Sequence, residues 1–257
     1  MAPIRAARVG VRRNAVTVTA FVPTSLSGLA LWLDAGQITG AADATAVATW
    51  QDRSGNARDA TQITLAKQPI YRSTGALLTP SGKPVVQFDG VSSQLVSASP
   101  SGFPTGNADV TMFVVFETTT TSINTQVAFS YGVAGTRQAP HVGISGSATT
   151  ALFGAYADDL AFAETNPLNT FHVSSYVYTS ADTTVRGLVD GGVNSGSRVL
   201  AAAPNWGVGP FYVGGFFGLS GFYVMGAIAE VVVYSRALST TERQQCEAYL
   251  KAKHGTP

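Results

Sequence analysis

The sequence predicts an all-β protein: antiparallel sheets packed face to face, one helix at the C-terminal end, and an extended segment in front. Three observations predict it. Short β-rich runs follow one another with little helix between them, the pattern of sheet-on-sheet packing. Turn clusters of Gly, Asn, Asp, Ser and Pro separate most of these runs. A helix-start signature, Ser239 followed by Glu242, falls near the end of the 257 residues.

Residues 1–25, MAPIRAARVGVRRNAVTVTAFVPTS, read as a basic extended N-terminal arm. Arg5, Arg8, Arg12 and Arg13 all precede the first acid, Asp34, and make up four of the sixteen Lys and Arg. Val16, Val18, Ala20 and Val22 alternate with Thr17, Thr19 and Phe21, the period of a strand with two distinct faces, and Pro23 ends it. The same alternation also fits an edge strand of the main domain behind a frayed terminus.

Residues 26–257 read as one sandwich domain. Its strand runs include LSGLALWLDAG (26–36), KPVVQFDG (83–90), DVTMFVVFETT (109–119), NTQVAFSYGV (124–133) and HVGISG (141–146). They continue through ALFGAYA (151–157), FHVSSYVYTS (171–180), TVRGLVDGGV (184–193), PFYVGG (210–215) and AIAEVVVYS (227–235). VDGG at 189–192 marks a hairpin turn. The helix carries Lys251, Lys253 and His254 in its last turn, where cations suit the dipole, and Gly255 as its stop. Cys246, Tyr249 and Leu250 share a helix face that should pack on the sandwich, with Cys246 as a small buried hydrophobe.

Composition narrows the function. Apolar residues are 45% of the chain, enough for a sizeable core, while charged residues are only 12%, about half the usual ~25%. The net charge of +1 gives no global field toward nucleic acid or a membrane, and neither is expected as a partner. No apolar run approaches the ~20 residues of a membrane span. AVTVTAFVP (15–23) is short, interrupted by Thr17 and Thr19, and lacks a small-residue cleavage site, so it is not read as a secretory signal. Cys246 is the one cysteine, which excludes an intrachain disulfide.

Three blocks carry a family resemblance. The first is LSGLALWLDA with VATWQDRSGNARDATQ (47–62) and QPIYR (68–72). The second is GKPVVQFDGVSSQL (82–95). The third is GAIAEVVVYSRALSTTERQQCEAYLKAKHG (226–255). Together they resemble the laminin-G-like branch of the concanavalin A-like lectin/glucanase superfamily, in the form found in bacterial and phage proteins. The resemblance implies a jelly-roll of two curved antiparallel sheets. Within these blocks Trp32 and Trp50 read as core anchors, QDRSGN as a loop that caps itself, and FDG as a turn with Phe88 facing inward. The resemblance also offers a structural calcium site, with Asp89 and Glu230 as the nearest counterparts. Two ligands are too few for a hard cation, so no cofactor and no metal site are expected.

Catalysis is not expected. The glucanase branch places acids at alternate positions of one strand, as Glu-x-Asp-x-Glu. The five glutamates here, Glu117, Glu164, Glu230, Glu242 and Glu247, do not form that pattern. Asp158 and Asp159 are adjacent, so on a strand they would face opposite ways. His141, His172 and His254 have no metal-like spacing.

One stretch stands apart. NWGVGPFYVGGFFGLSGFYVMG (205–226) holds seven aromatic residues and seven glycines. PFYVGG and the strand after it read as core, but GGFFGLSG is a loop by its glycines, and loops run over the surface. Phe216, Phe217 and Leu219, with Trp206 and Tyr223, form the candidate contact surface; the loop either plugs the body or faces a partner. The leading expectation is a non-enzymatic virion protein, a phage decoration, head-fibre or tail-associated subunit. It would dock on other virion proteins through Arg5, Arg8, Arg12, Arg13, Val16 and Val18, or form a homo-oligomer by threading a neighbouring copy. The alternative is a secreted or displayed carbohydrate-binding module. The two coexist if a virion protein holds cell-surface glycans.

Overall fold

The computed structural model describes residues 20–97, 102–119, 125–146, 150–164 and 168–257. In chain order the strands are β1 (Leu29–Asp34), β2 (Thr49–Trp50), β3 (Ala60–Thr61), β4 (Ile70–Arg72), β5 (Val85–Asp89), β6 (Leu95–Ser97), β7 (Val110–Thr118) and β8 (Gln126–Tyr131). They continue with β9 (His141–Ile144), β10 (Thr150–Gly154), β11 (Leu160–Ala163), β12 (His172–Thr179), β13 (Thr184–Val189), β14 (Asn194–Val199), β15 (Phe211–Val213) and β16 (Met225–Tyr234). Helix α1 (Thr240–His254) follows.

The strands pair antiparallel into two eight-stranded sheets. The first runs β14-β13-β12-β7-β16-β5-β4, with β1 also paired to β16. The second runs β11-β10-β9-β8-β15-β6-β3-β2. This is the two-sheet jelly-roll sandwich that the sequence predicts.

The apolar runs explain the layering. All nine residues of β7 are buried. Val110, Met112, Val114 and Phe116 face the second sheet, while Phe113 and Val115 face the other way, in the cluster that holds Cys246 and Leu250 of α1. A strand covered on both faces reads as a continuous apolar run rather than an alternation. The polar edge strand β14, NSGSRV, gives no such signal and is absent from the sequence prediction. The 189–192 turn does place it: Val189 pairs with Asn194, and Asp190, Gly191 and Gly192 between them take positive φ.

Helix α1 forms as its ends dictate. Ser239 accepts from the Glu242 N–H and Glu242 returns the bond to the Ser239 N–H, a complete capping box, while Gly255 closes the far end at φ 71°. Cys246 and Leu250 are buried under it. Burial pushes the Cys246 thiol up to about 11, which keeps it an inert packing group.

A buried charge fixes how the helix lies. The register of β16 slips between Ile228 and Glu230 against β7. Ile228 and Val231 face the core between the sheets, while Ala229 faces the helix side. The bulge thereby turns Glu230 toward the helix as well. Glu230 is fully buried. It accepts from Trp32 Nε1 at 2.7 Å and from Lys253 Nζ at 2.5 Å, and lies 2.7 Å from His254 Nε2. Asp34, its register partner on β1, accepts from the same Lys253 Nζ at 2.7 Å. Burial works against the Lys253 charge, but the two carboxylates outweigh it and hold the ammonium above its ordinary pKa.

Loop turns in the first half cap themselves as expected. Asp52 accepts from the N–H groups of Trp32, Ser54 and Arg58. Trp50 is in the inter-sheet core, and Trp32 lies on the helix side. Of the N-terminal arm, only residues 20–25 are described, and these lie on the domain. Phe21 packs edge-on against Tyr249 of α1 at 6.0 Å between centroids, and the Tyr234 hydroxyl donates to the Pro23 carbonyl at 2.8 Å. Arg5, Arg8, Arg12, Arg13, Val16 and Val18 fall outside the described residues.

Breaking a buried ion cluster on one side strands its remaining charges. Lys253→Met should therefore lower unfolding stability by about 3 kcal/mol in denaturant titration at pH 7, with far-UV circular dichroism unchanged. A second test concerns Glu117 of β7, whose carboxyl is raised by burial to about 7 from 4.5. Its folded pKa is raised, so its contribution to stability is full below pH 4.5 and fades as pH rises through 7. Glu117→Gln should flatten the stability curve between those values. Above pH 7 the variant should gain on the order of 1 kcal/mol.

Candidate ligand-binding cleft

The outer face of the second sheet carries the site. His141 opens β9 and points away from the inter-sheet core. Its register partners are Ser130 on β8 and Gly154 on β10. A Cβ on Gly154 would come within 1.8 Å of the His141 ring, so the glycine is what lets the imidazole lie across the strand. His141 Nδ1 lies 3.1 Å from the Ala139 carbonyl. A carbonyl only accepts, so Nδ1 carries the proton and Nε2 of the neutral ring is an acceptor. Burial lowers the His141 pKa, against the opposing pull of Asp159 and the Ala139 carbonyl, and the ring is neutral at pH 7.

The loop after β10 supplies the second polar group. Tyr156 and Ala157 are successive non-glycine residues in the left-handed region, at φ 61° and 60°. Such backbone strain gathers at functional sites. Beyond this turn the two adjacent acids part. Asp158 is buried and accepts from Arg198 Nε at 2.7 Å, the Ala201 N–H at 2.8 Å and Arg137 Nη1 at 3.4 Å. Asp159 turns the other way, accepts from the Ala155 N–H at 2.9 Å, and stands 3.9 Å from His141 Nε2.

The glycine-rich loop of residues 214–222 folds over the same face. Phe216 is buried against Val127 and Ala139. Its ring meets His141 at 4.9 Å, Tyr156 at 5.6 Å and Phe222 at 5.5 Å. Phe217, at φ 51°, wedges between Phe216 and Tyr212. Leu219 stays 41% exposed. The loop is thus a plug at Phe216 and an open rim at Leu219. Between it and the strands lies a cleft of about 360 Å³. Val127, His141 and Leu152 form its floor, with Tyr156, Asp159, Phe216, Leu219 and Phe222 around it.

Two of the contact residues named from sequence, Phe216 and Leu219, line this cleft. Trp206 does not and is not exposed. At 1% exposure it belongs to the inter-sheet core, stands edge-on to Tyr178, and donates from Nε1 to the Ala108 carbonyl at 2.9 Å. The glycines and prolines around it gave it the look of a loop tip, but a bridge to Gly106 pins it inside. Tyr223 is partly buried and ties the loop to itself through a bond to the Gly218 carbonyl. His141, Tyr156, Asp159 and Phe222 were not singled out from sequence as site residues. They come from separate segments, and strand register and the folded loops bring them together.

The acids offered for calcium do not converge. Asp89 pairs with Met225 at one end of β16, and Glu230 lies beyond the bulge. Asp89 accepts from the N–H groups of Val91, Ser92 and Ser93, and these bonds outweigh burial and hold its carboxyl at about 2. Among the described residues, no group of three or more His, Cys, Asp or Glu could hold a metal ion. His172 does sit between Asp190, at 2.5 Å, and Glu164, at 3.7 Å, but all three side chains are buried and form no open site.

No family model matches the chain, and no curated protein matches it. Solved structures share the fold. Trypanosoma rangeli sialidase in complex with sialic acid aligns at a TM-score of 0.60 with 16% identity, over 90% of this chain and 34% of the sialidase. The binding domain of botulinum neurotoxin serotype G aligns at 0.64 with 12% identity, over 89% of this chain and 54% of that domain. The binding domain of Paraclostridial Mosquitocidal Protein 1 aligns at 0.58 with 10% identity, over 89% and 53%. The chain therefore spans about a third of the sialidase and about half of each toxin domain.

The role of Gly154 is testable. Gly154→Ala should evict the His141 ring and cost about 2 kcal/mol through overpacking. In histidine-selective NMR titration, His141 of the parent chain should titrate below 6.5, and the variant should move its midpoint up toward that value.

Proposed function

We propose that the chain is a non-catalytic glycan-binding module whose ligand sits in the cleft on the outer face of the second sheet. The observation that carries this reading is the pairing of an apolar, ring-lined wall with two hydrogen-bond acceptors at one end. A cleft of this size suits a sugar ring, since small-ligand sites run from about 300 to 1,000 Å³ with apolar walls and a few aimed polar groups. Sugars match that make-up. Their C–H faces pack on rings such as Tyr156 and Phe222, and their hydroxyls donate to His141 Nε2 and Asp159.

Binding fits better than turnover. The usual glycoside hydrolysis needs two carboxyl groups flanking one bond. Asp159 is the one carboxylate among the described residues that line the cleft.

Attachment to a virion through the basic arm is a separate proposal. Its support is the charge of Arg5, Arg8, Arg12 and Arg13 ahead of the strand-like alternation. Particles that lack this chain by mass spectrometry would remove it without touching the cleft.

On a glycan array the chain should retain a defined set of oligosaccharides. Phe222→Ala and Leu219→Ala should each weaken the hits at least tenfold, while Ile63→Ser, on an exposed loop that does not line the cleft, leaves them unchanged. A blank array, or hits indifferent to both cleft variants, would overturn the reading.

A further inference from the structure

We infer that the cleft selects uncharged sugars and turns away sugars that carry a carboxylate, because its polar end is a pair of acceptors, His141 Nε2 and Asp159, with no cation beside them among the described residues that line the cleft. This inference rests on the glycan-binding reading above and names the ligand class for the same site.

The geometry supplies the argument. The Ala139 carbonyl takes the Nδ1 proton of His141, so Nε2 offers a lone pair. Asp159 offers carboxylate oxygen 3.9 Å away. Two acceptors at that distance cannot bond each other. They are satisfied together by donors placed before them, and neighbouring hydroxyls of a sugar provide one for each. The lowered pKa of His141 keeps the pair in this state at neutral pH.

A carboxylate in the same place meets the opposite situation. It brings no donor, and it approaches Asp159 between the low-polarity walls of Phe216, Leu219 and Phe222, where like charges repel more than in water. No Lys or Arg is among the described residues that line the cleft. Arg137 and Arg198 are engaged by Asp158, which faces away.

Neutral oligosaccharides and their sialylated or uronate-capped counterparts, printed on one array and then titrated calorimetrically, test the inference. The neutral form should bind at least tenfold tighter than its acidic counterpart. Raising salt should shrink that gap, since it screens the repulsion. Asp159→Asn keeps an acceptor for the Ala155 N–H and should shrink the gap at least threefold. An acidic glycan that outbinds its neutral partner, and is lost in Phe222→Ala, would overturn charge selection while leaving glycan binding intact. A gap unmoved by both salt and Asp159→Asn would overturn it too. If nothing binds, the underlying reading falls, and this inference falls with it.

Discussion

A carboxylate buried to zero exposure is the constraint on which the frame depends. Glu230 cannot stay charged in the interior unless donors come to it, because an unpaired buried charge costs several kcal/mol. Its donors come from both ends of the chain. Trp32 arrives on β1, and Lys253 and His254 arrive on the last turn of α1. Satisfying one oxygen pair therefore fixes the first strand, the long central strand and the final helix relative to one another. The helix then lies across the first sheet, and the apolar outer side of β7 and β16 has something to pack against.

The same device recurs on the other sheet with a different use. In β16 a bulge sends Glu230 to the helix side. In β8 the register slips between Val127 and Phe129, so Ala128 and Phe129 both face inward while Val127 and Ser130 keep the outer face. One bulge serves closure. The other shapes the floor of the cleft, where a loop with left-handed residues and a glycine-rich flap meet over His141. Bulges are common beside functional sites for this reason: they redirect a side chain without ending the strand.

Much of the frame was legible in the sequence, and less of the site. Long apolar runs, turn clusters and the Ser239–Glu242 box are local signals, and each produced its element. β14 stayed hidden because its Asn, Ser and Gly residues suit an exposed edge and leave no apolar trace. Phe216 and Leu219 were visible as large apolar groups inside a glycine loop. Trp206 misled for the same reason, since neighbours that look like a turn do not reveal that Ala108 and Gly106 wait to cover the indole. His141 and Asp159 were beyond local reading. Their meeting depends on which strands are neighbours and on which way each loop turns, and neither is written in any short window.

Residues 20–25 and the cleft occupy opposite sides of the sandwich. Phe21 and Pro23 rest with Tyr249 and Tyr234 behind the first sheet, while the cleft opens in front of the second. A tether continuing from residue 20 would hold the module by its back. The cleft would then look outward, unshaded by whatever the tether is fastened to, and its access would not depend on how the back of the sandwich is held.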